Sequence, residues 1–230
     1  MTFDYQKRLL LFDIDCTLLI THGAGRTATH RAMVDVFGVD SNLVERYEFG
    51  GQTDWQVLMT LQSQLGVSAD EIERRMPAYN QAMADHLQSV IRDYPVTACP
   101  GAVDLIAELR QNPNVRLGLV TGNVSCAAPV KLRAAGFDPA DFPIGAYGDE
   151  AWERNKLPPL AVQRAEQHYR ETFAPGQIYV IGDTPNDVAC ARAIGAVAVA
   201  VGTGFGSREA LIQSNPDYFL EDLTTFCAVL

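Results

Sequence analysis

The stretch LLLFDIDCTLL, residues 9–19, decides how the rest of the chain is read. Leu9, Leu10, Leu11 and Phe12 show no polar alternation, so they read as a strand buried on both faces of a parallel sheet. Two acids, Asp13 and Asp15, follow where the strand should still be buried, and ionised carboxylates there are costly unless water or a cation meets them. Residues i and i+2 of an extended chain face the same side, about 6.6 Å apart along it, so one divalent ion could serve both. Strand ends on a surface also carry acids, so the reading depends on what else converges with this pair.

Beyond Pro100 strand-like and helix-like segments alternate. VRLGLV (115–120) precedes a helical stretch over 126–135 that closes on Gly136, and IYVI (178–181) precedes DTPNDVACARAIG, with Thr184 as N-cap, Pro185 in the first turn and Gly195 as terminator. VAVAV (197–201), a helix over 208–213 and a last strand in DYFL complete the rhythm, which is that of an α/β protein with a parallel sheet covered by helices. Residues 22–95 differ. They carry helical patterns over 26–37, 54–65 and 69–94, the last opened by Ser68 with Glu71 three residues on and expected to kink at Pro77, and no convincing strand. The expected organisation is a core of residues 1–21 and 96–230 with a helical cap, 22–95, inserted after the first strand.

A chain of 230 residues with 47% hydrophobic and 20% charged residues has material for a full core. Its net charge of −10 disfavours nucleic acid backbones and anionic membranes as partners. Five cysteines without a CxxC spacing argue against a disulfide framework or structural zinc, and the apolar run ending at Asp13 is too short for a secretory or spanning segment. The expectation is a cytoplasmic protein.

Ligands of open parallel sheets bind beyond the carboxyl ends of the strands. Those ends read Asp13-Ile14-Asp15-Cys16-Thr17, Thr121-Gly122-Asn123 and Gly182-Asp183-Thr184-Pro185-Asn186-Asp187. Several carboxylates with a hydroxyl and free backbone N–H groups suit a magnesium ion and a phosphoryl group.

As an ordered set, Asp-x-Asp-x-Thr after a strand, a lone Thr after a second, a downstream Lys and Gly-Asp-x-x-x-Asp after a later one resemble the haloacid dehalogenase-like hydrolases, specifically their phosphatases. The resemblance implies a Rossmann-like core with an inserted helical cap, a Mg²⁺ cofactor and a small phosphorylated metabolite as substrate. It makes Asp13 the nucleophile that forms an aspartyl-phosphate, Asp15 the general acid and base, and Thr17 the residue orienting Asp15. Thr121, Gly122 and Asn123 would hold the phosphoryl oxygens. Asp13, Asp183, Asp187 and the backbone carbonyl of Asp15 would hold the metal. For the required cation, Lys156 in RNKLPPLAVQRA fits the family's offset to the prolines, with Arg154 as the rival. Cys16 stands where the family usually has glycine. Substrate selectivity is expected from Arg26 and from Gly51, Gln52, Thr53 and Asp54.

Plainer readings stand beside these. Thr184 with Asp187 resembles a capping box, Thr53 or Asp54 could simply cap the next helix, and Cys16 reads as a small buried thiol. The four histidines do not cluster. GTGFGS (202–207) mimics a dinucleotide fingerprint, with Glu221 or Asp222 at the usual distance, but only 24 residues follow Gly206, too few to complete such a unit. The nearest activity within the resemblance is that of phosphoglycolate phosphatases, with nucleotide and sugar-phosphate phosphatases also open. A phosphomutase of the same fold and a non-catalytic phosphometabolite-binding protein are the alternatives.

Overall fold

The computed structural model describes residues 7–38, 47 and 50–229. Residues 1–6 of the expected core, and 39–46 and 48–49 of the expected cap, lie outside the described residues.

Six strands form one parallel sheet in the order β5-β4-β1-β6-β7-β8: β1 Arg8–Phe12, β4 Val115–Val120, β5 Ile144–Ala146, β6 Ile178–Gly182, β7 Val197–Val201 and β8 Tyr218–Leu220. The α/β expectation therefore holds. β1 is central, with Leu10 opposite Leu117 of β4 on one side and Tyr179 of β6 on the other. Leu10 and Phe12 enter one hydrophobic cluster and Leu9 and Leu11 another, on opposite faces of the sheet. That is why the run lacks alternation: successive side chains point to opposite faces, and both faces are covered. Each such leucine contributes about 1.5–3 kcal/mol on burial.

The chain leaves the sheet through β2, Leu19–Ile20, and returns through β3, Thr97–Ala98, which pair antiparallel as a two-stranded ribbon. Between them lie three described helices: α1 Ala24–Phe37, α2 Asp54–Leu65 and α3 Ala69–Val90. They share a cluster of their own, in which Ala24, Ala28 and Ala32 form an i, i+4 stripe of small residues on α1 beside Met76, Tyr79 and Met83 of α3. Ser68 caps α3 as its spacing predicts, accepting from the N–H of Glu71. The helix continues through Pro77 and gives way at Val90 to a 3-10 turn over Ile91–Asp93, so the expected single helix to 94 ends one turn early.

On the faces of the sheet lie α4 Ala102–Leu109, α5 Ala128–Ala134, α6 Leu157–Tyr169, α7 Pro185–Ala193 and α8 Arg208–Gln213. No helix among the described residues is long and apolar enough to cross a membrane.

Candidate active site

Because β4, β1 and β6 are neighbours, their carboxyl ends bring Thr121, Asp13 and Asp183 to one edge. The Asp13 N–H donates to the Ile181 carbonyl (2.9 Å), which carries the β1–β6 pairing one residue past the strand. One carboxylate oxygen from each of Asp13, Asp183 and Asp187 lies within 4.8 Å of the others. Burial, then Asp187 and Asp15, push Asp13 up to about 7, against the opposing pull of Arg154 and of the Thr121 hydroxyl. Asp183 is raised well above the ordinary carboxylate range by burial and by its neighbours Asp187 and Asp13. Three crowded carboxylates, two of them raised in this way, face a single guanidinium, and a hard divalent cation accepts such an all-oxygen donor set. The residues fit Mg²⁺.

Asp187 caps its helix as the plainer reading has it, and it also meets a cation. One oxygen, Oδ2, accepts from the Thr184 N–H (3.0 Å) and hydroxyl (2.7 Å) as a helix cap, while Oδ1 meets the Arg154 guanidinium. Thr17 departs from its expected role: its hydroxyl donates to Asp183 Oδ1 (3.3 Å) rather than orienting Asp15.

The cation beside the nucleophile candidate is Arg154. Its Nη2 stands 3.1 Å from Asp13 Oδ1 and donates to Asp187, and Nη1 donates to the Gly51 carbonyl at 2.9 Å. The expected Lys156 is instead 69% exposed and pairs with Glu153, at 3.6 Å, whereas the Arg154 side chain is 6% exposed. Both residues lie in a 3-10 turn, Arg154–Lys156. Three residues per turn set positions i and i+2 about 120° apart around the axis, so only one of them can face the sheet edge.

Asp15 lies on the other side, in a polar network. The Asn123 side-chain amide donates from Nδ2 to Asp15 Oδ2 (2.8 Å) and to Thr121 Oγ1 (2.7 Å). Lys131 Nζ donates to Asp15 Oδ2 (2.6 Å) and to Asn123 Oδ1 (2.5 Å). Sequence reasoning missed Lys131. A signal existed: on α5 it follows the buried Ala127 and Ala128 by four and three residues and so falls on the apolar stripe, where an unpartnered lysine is costly.

The loop before α2 closes against these groups. A Cβ at Gly51 would stand 2.5 Å from Thr184 Oγ1, and one at Gly122 would stand 2.2 Å from the Gln52 carbonyl oxygen, so both positions need glycine for close approach. The Asp54 N–H donates to the Gly122 carbonyl (3.2 Å). Burial pushes the Asp54 carboxyl up to about 7, with Lys131 opposing and Asp15 and Asp149 adding to the rise. Thr53 is occupied structurally, its Oγ1 donating to the Trp152 carbonyl and accepting from the Gln56 N–H to cap α2. Gln52 Oε1 accepts from the Tyr47 hydroxyl (2.7 Å). Arg26 is exposed and donates to the Tyr47 carbonyl (3.0 Å).

Cys16 takes φ 60°, the left-handed region that glycine enters freely, which accounts for the glycine usual in the family. Burial and then Asp183 and Asp15 push its thiol upward, against thiolate chemistry. His22 is taken up by a contact with the exposed Thr97, its Nε2 lying 3.0 Å from Thr97 Oγ1. The glycine-rich loop after β7 abuts the acids, since a Cβ at Gly204 would stand 2.3 Å from Asp183 Oδ2.

The six-stranded parallel sheet thus carries a carboxylate cluster at its strand ends. Residues 7–195 match the family model for haloacid dehalogenase-like hydrolases, and the chain belongs to that family. Among its curated relatives is a phosphoglycolate phosphatase of Synechococcus elongatus, 26% identical over 92% of this chain and 92% of that protein. The pyrophosphatase PpaX of Oceanobacillus iheyensis is 22% identical over 97% and 96%. A hydrolase from Pseudomonas syringae shares the fold with a TM-score of 0.67 at 20% identity, covering 97% of this chain and 98% of that one.

Proposed function

We propose that this enzyme hydrolyses a small phosphorylated metabolite, with Asp13 as nucleophile, Asp15 as acid and base, and Mg²⁺ as cofactor. It is a phosphoric monoester hydrolase. The observation that carries the reading is the buried meeting of Asp13, Asp183 and Asp187 with Arg154, while Asp15 stands apart in its own network.

In the first step an Asp13 oxygen attacks phosphorus, the bond to the ester oxygen breaks, and that oxygen takes its electron pair and a proton from Asp15. In the second, Asp15 removes a proton from water as the water oxygen attacks the same phosphorus, and the Asp13 carboxylate leaves. Thr121 and the N–H groups of Gly122 and Asn123 hold the phosphoryl oxygens. Arg154 takes the part first expected of Lys156, since a guanidinium aimed at the transferring group stabilises the charge that builds there. Bound by Asp13, Asp183, Asp187 and the Asp15 carbonyl, Mg²⁺ would offset the carboxylate and phosphate charges and polarise a phosphoryl oxygen.

Residues 22–95 act in this reading as a cap, whose Gly51–Asp54 loop excludes water and meets the leaving group. Gln52 and Asp54 are the selectivity residues whose surroundings support that role best; Arg26 and Thr53 have the partners described above. Phosphoglycolate is the first substrate to test, on the strength of the relatives' activity. A cytoplasmic location belongs to the same reading, in keeping with five free thiols.

The test is a turnover screen of p-nitrophenyl phosphate, phosphoglycolate, sugar phosphates and nucleotides with Mg²⁺ present. Phosphate release from at least one is expected. Silence across the whole panel, with either Mg²⁺ or Mn²⁺, would leave a binding protein in place of an enzyme.

A further inference from the structure

Lys131 has no part in the chemistry described so far, yet it is a lysine with a 5% exposed side chain set against the acid/base candidate. Burying an ammonium is costly unless every donor direction is used. Here it is used for a particular arrangement. The ammonium donates to Asp15 Oδ2, and its second bond, to Asn123 Oδ1, fixes which end of that amide faces which partner. With Oδ1 turned to Lys131, the Asn123 Nδ2 must face Asp15 and Thr121, which is where it donates. Asp15 Oδ2 is thereby held from two directions by one cation. Above the ammonium lies α1 at Gly25, where a Cβ would stand 3.1 Å from Nζ and 3.3 Å from Cε, so the helical segment closes the space over the lysine.

We propose that Lys131 is a positioning residue, which holds the Asp15 carboxylate, directly and through Asn123, in the orientation from which it exchanges a proton with the ester oxygen. The inference rests on Asp15 being the acid, and its test separates the two claims. A structural strut would affect all substrates alike, and a residue gripping a remote part of the substrate would affect KM. In the first step, which kcat/KM reports, a residue positioning the acid acts only where protonation of the leaving group matters, so the loss in kcat/KM grows as the leaving oxygen becomes more basic, whereas in the second step, common to all substrates, its loss is the same for each.

The experiment uses the full chain with Lys131→Met, Asp15→Asn and the double variant, on aryl monophosphates ranging from p-nitrophenyl to p-methoxyphenyl. For Lys131→Met, a kcat/KM loss on the order of 30-fold is expected with the most basic leaving group, shrinking to about 3-fold with p-nitrophenyl. Added to Asp15→Asn, the same substitution should cost under about 2-fold, since the two act as one unit. A kcat/KM loss of equal size across the series, or full additivity in the double variant, overturns the proposal while leaving Asp15 as the acid. If Asp15→Asn itself shows no dependence on the leaving group, the reading of Asp15 fails, and the role of Lys131 with it. Gly25→Ala guards against misfolding: it crowds Nζ without touching the site, and alanine favours a helix over glycine, so Tm should not fall. It should show the same leaving-group trend in smaller measure, and unchanged Gly25→Ala kinetics alongside a Lys131→Met chain that does not fold overturns the proposal.

Discussion

The site has two halves, and they are built differently. Around Asp13, three carboxylates crowd one guanidinium, so anions outnumber the cation, and Asp13 and Asp183 are driven upward. Around Asp15, a single carboxylate oxygen is held by an ammonium and an amide. The first half is short of positive charge, as suits a place where a metal ion and a phosphoryl group meet. The second is balanced, as suits a carboxyl group that must keep its place while its proton comes and goes. Charge balance, rather than residue type, separates the surroundings of two aspartates only two positions apart.

The largest effect should come from breaking the crowded half at its centre. Asp13→Asn keeps shape and removes the nucleophile, so kcat should fall on the order of 10⁴-fold with Tm unchanged or raised; activity near wild type would remove Asp13 from the reaction. Chelation attacks the same half through its missing charge. Dialysis against EDTA should lower turnover on the order of 10²-fold or more and added Mg²⁺ should restore it, measured by phosphate release; full turnover in chelator would show that the carboxylates do not need the ion.

Arg154 and Lys156 sharpen the comparison, since they differ in little but direction. Arg154→Ala should cost about 10²- to 10³-fold in kcat/KM and about 3–5 kcal/mol of stability, because Asp13 and Asp187 lose their buried partner. Lys156→Ala should change kcat/KM by less than about 2-fold, as removal of an exposed pair with Glu153 does little elsewhere. Comparable losses in both variants would mean that the turn does not hold the two side chains apart.

The smallest effect belongs to Asp54, beside the balanced half. Its folded value, about 7, lies above the ordinary 3.8. Above that value the native state carries an ionised buried carboxylate whose cost unfolding relieves, and as pH falls the proton binds and the cost fades. Asp54→Asn should therefore raise Tm over wild type most at about pH 8 and least near about pH 5, each 1 kcal/mol appearing as about 2–4 °C. A gain that does not vary with pH would put the effect down to something other than this charge.

Much of the fold was legible because its elements are long or strongly patterned. β1, β4, β6 and β7 are apolar runs, and α2, α7 and α8 have bounds that caps and terminators mark. The ribbon strands β2 and β3 and the edge strand β5 were not legible. At two or three residues they are too short for a period of two to show, and in β5, Ile-Gly-Ala, a single β-branched residue is followed by two residues depleted in strands.

What the sequence by itself determined is the set of anions. Asp13, Asp15, Asp183 and Asp187 sit directly after or within a few residues of buried strands, so their position along the chain already gives their position at the sheet edge, because a parallel sheet aligns all its carboxyl ends. Only the tertiary structure decided the cations. Arg154 reaches Asp13 from a turn, Lys131 reaches Asp15 from the buried face of α5, and Thr17 turns to Asp183 instead of Asp15. Long side chains on turns and helices can point along several directions from the same backbone position, and which direction they take here is set by partners that include residues far off in the sequence, Asp13 and Gly51 for Arg154 and Asp15 for Lys131.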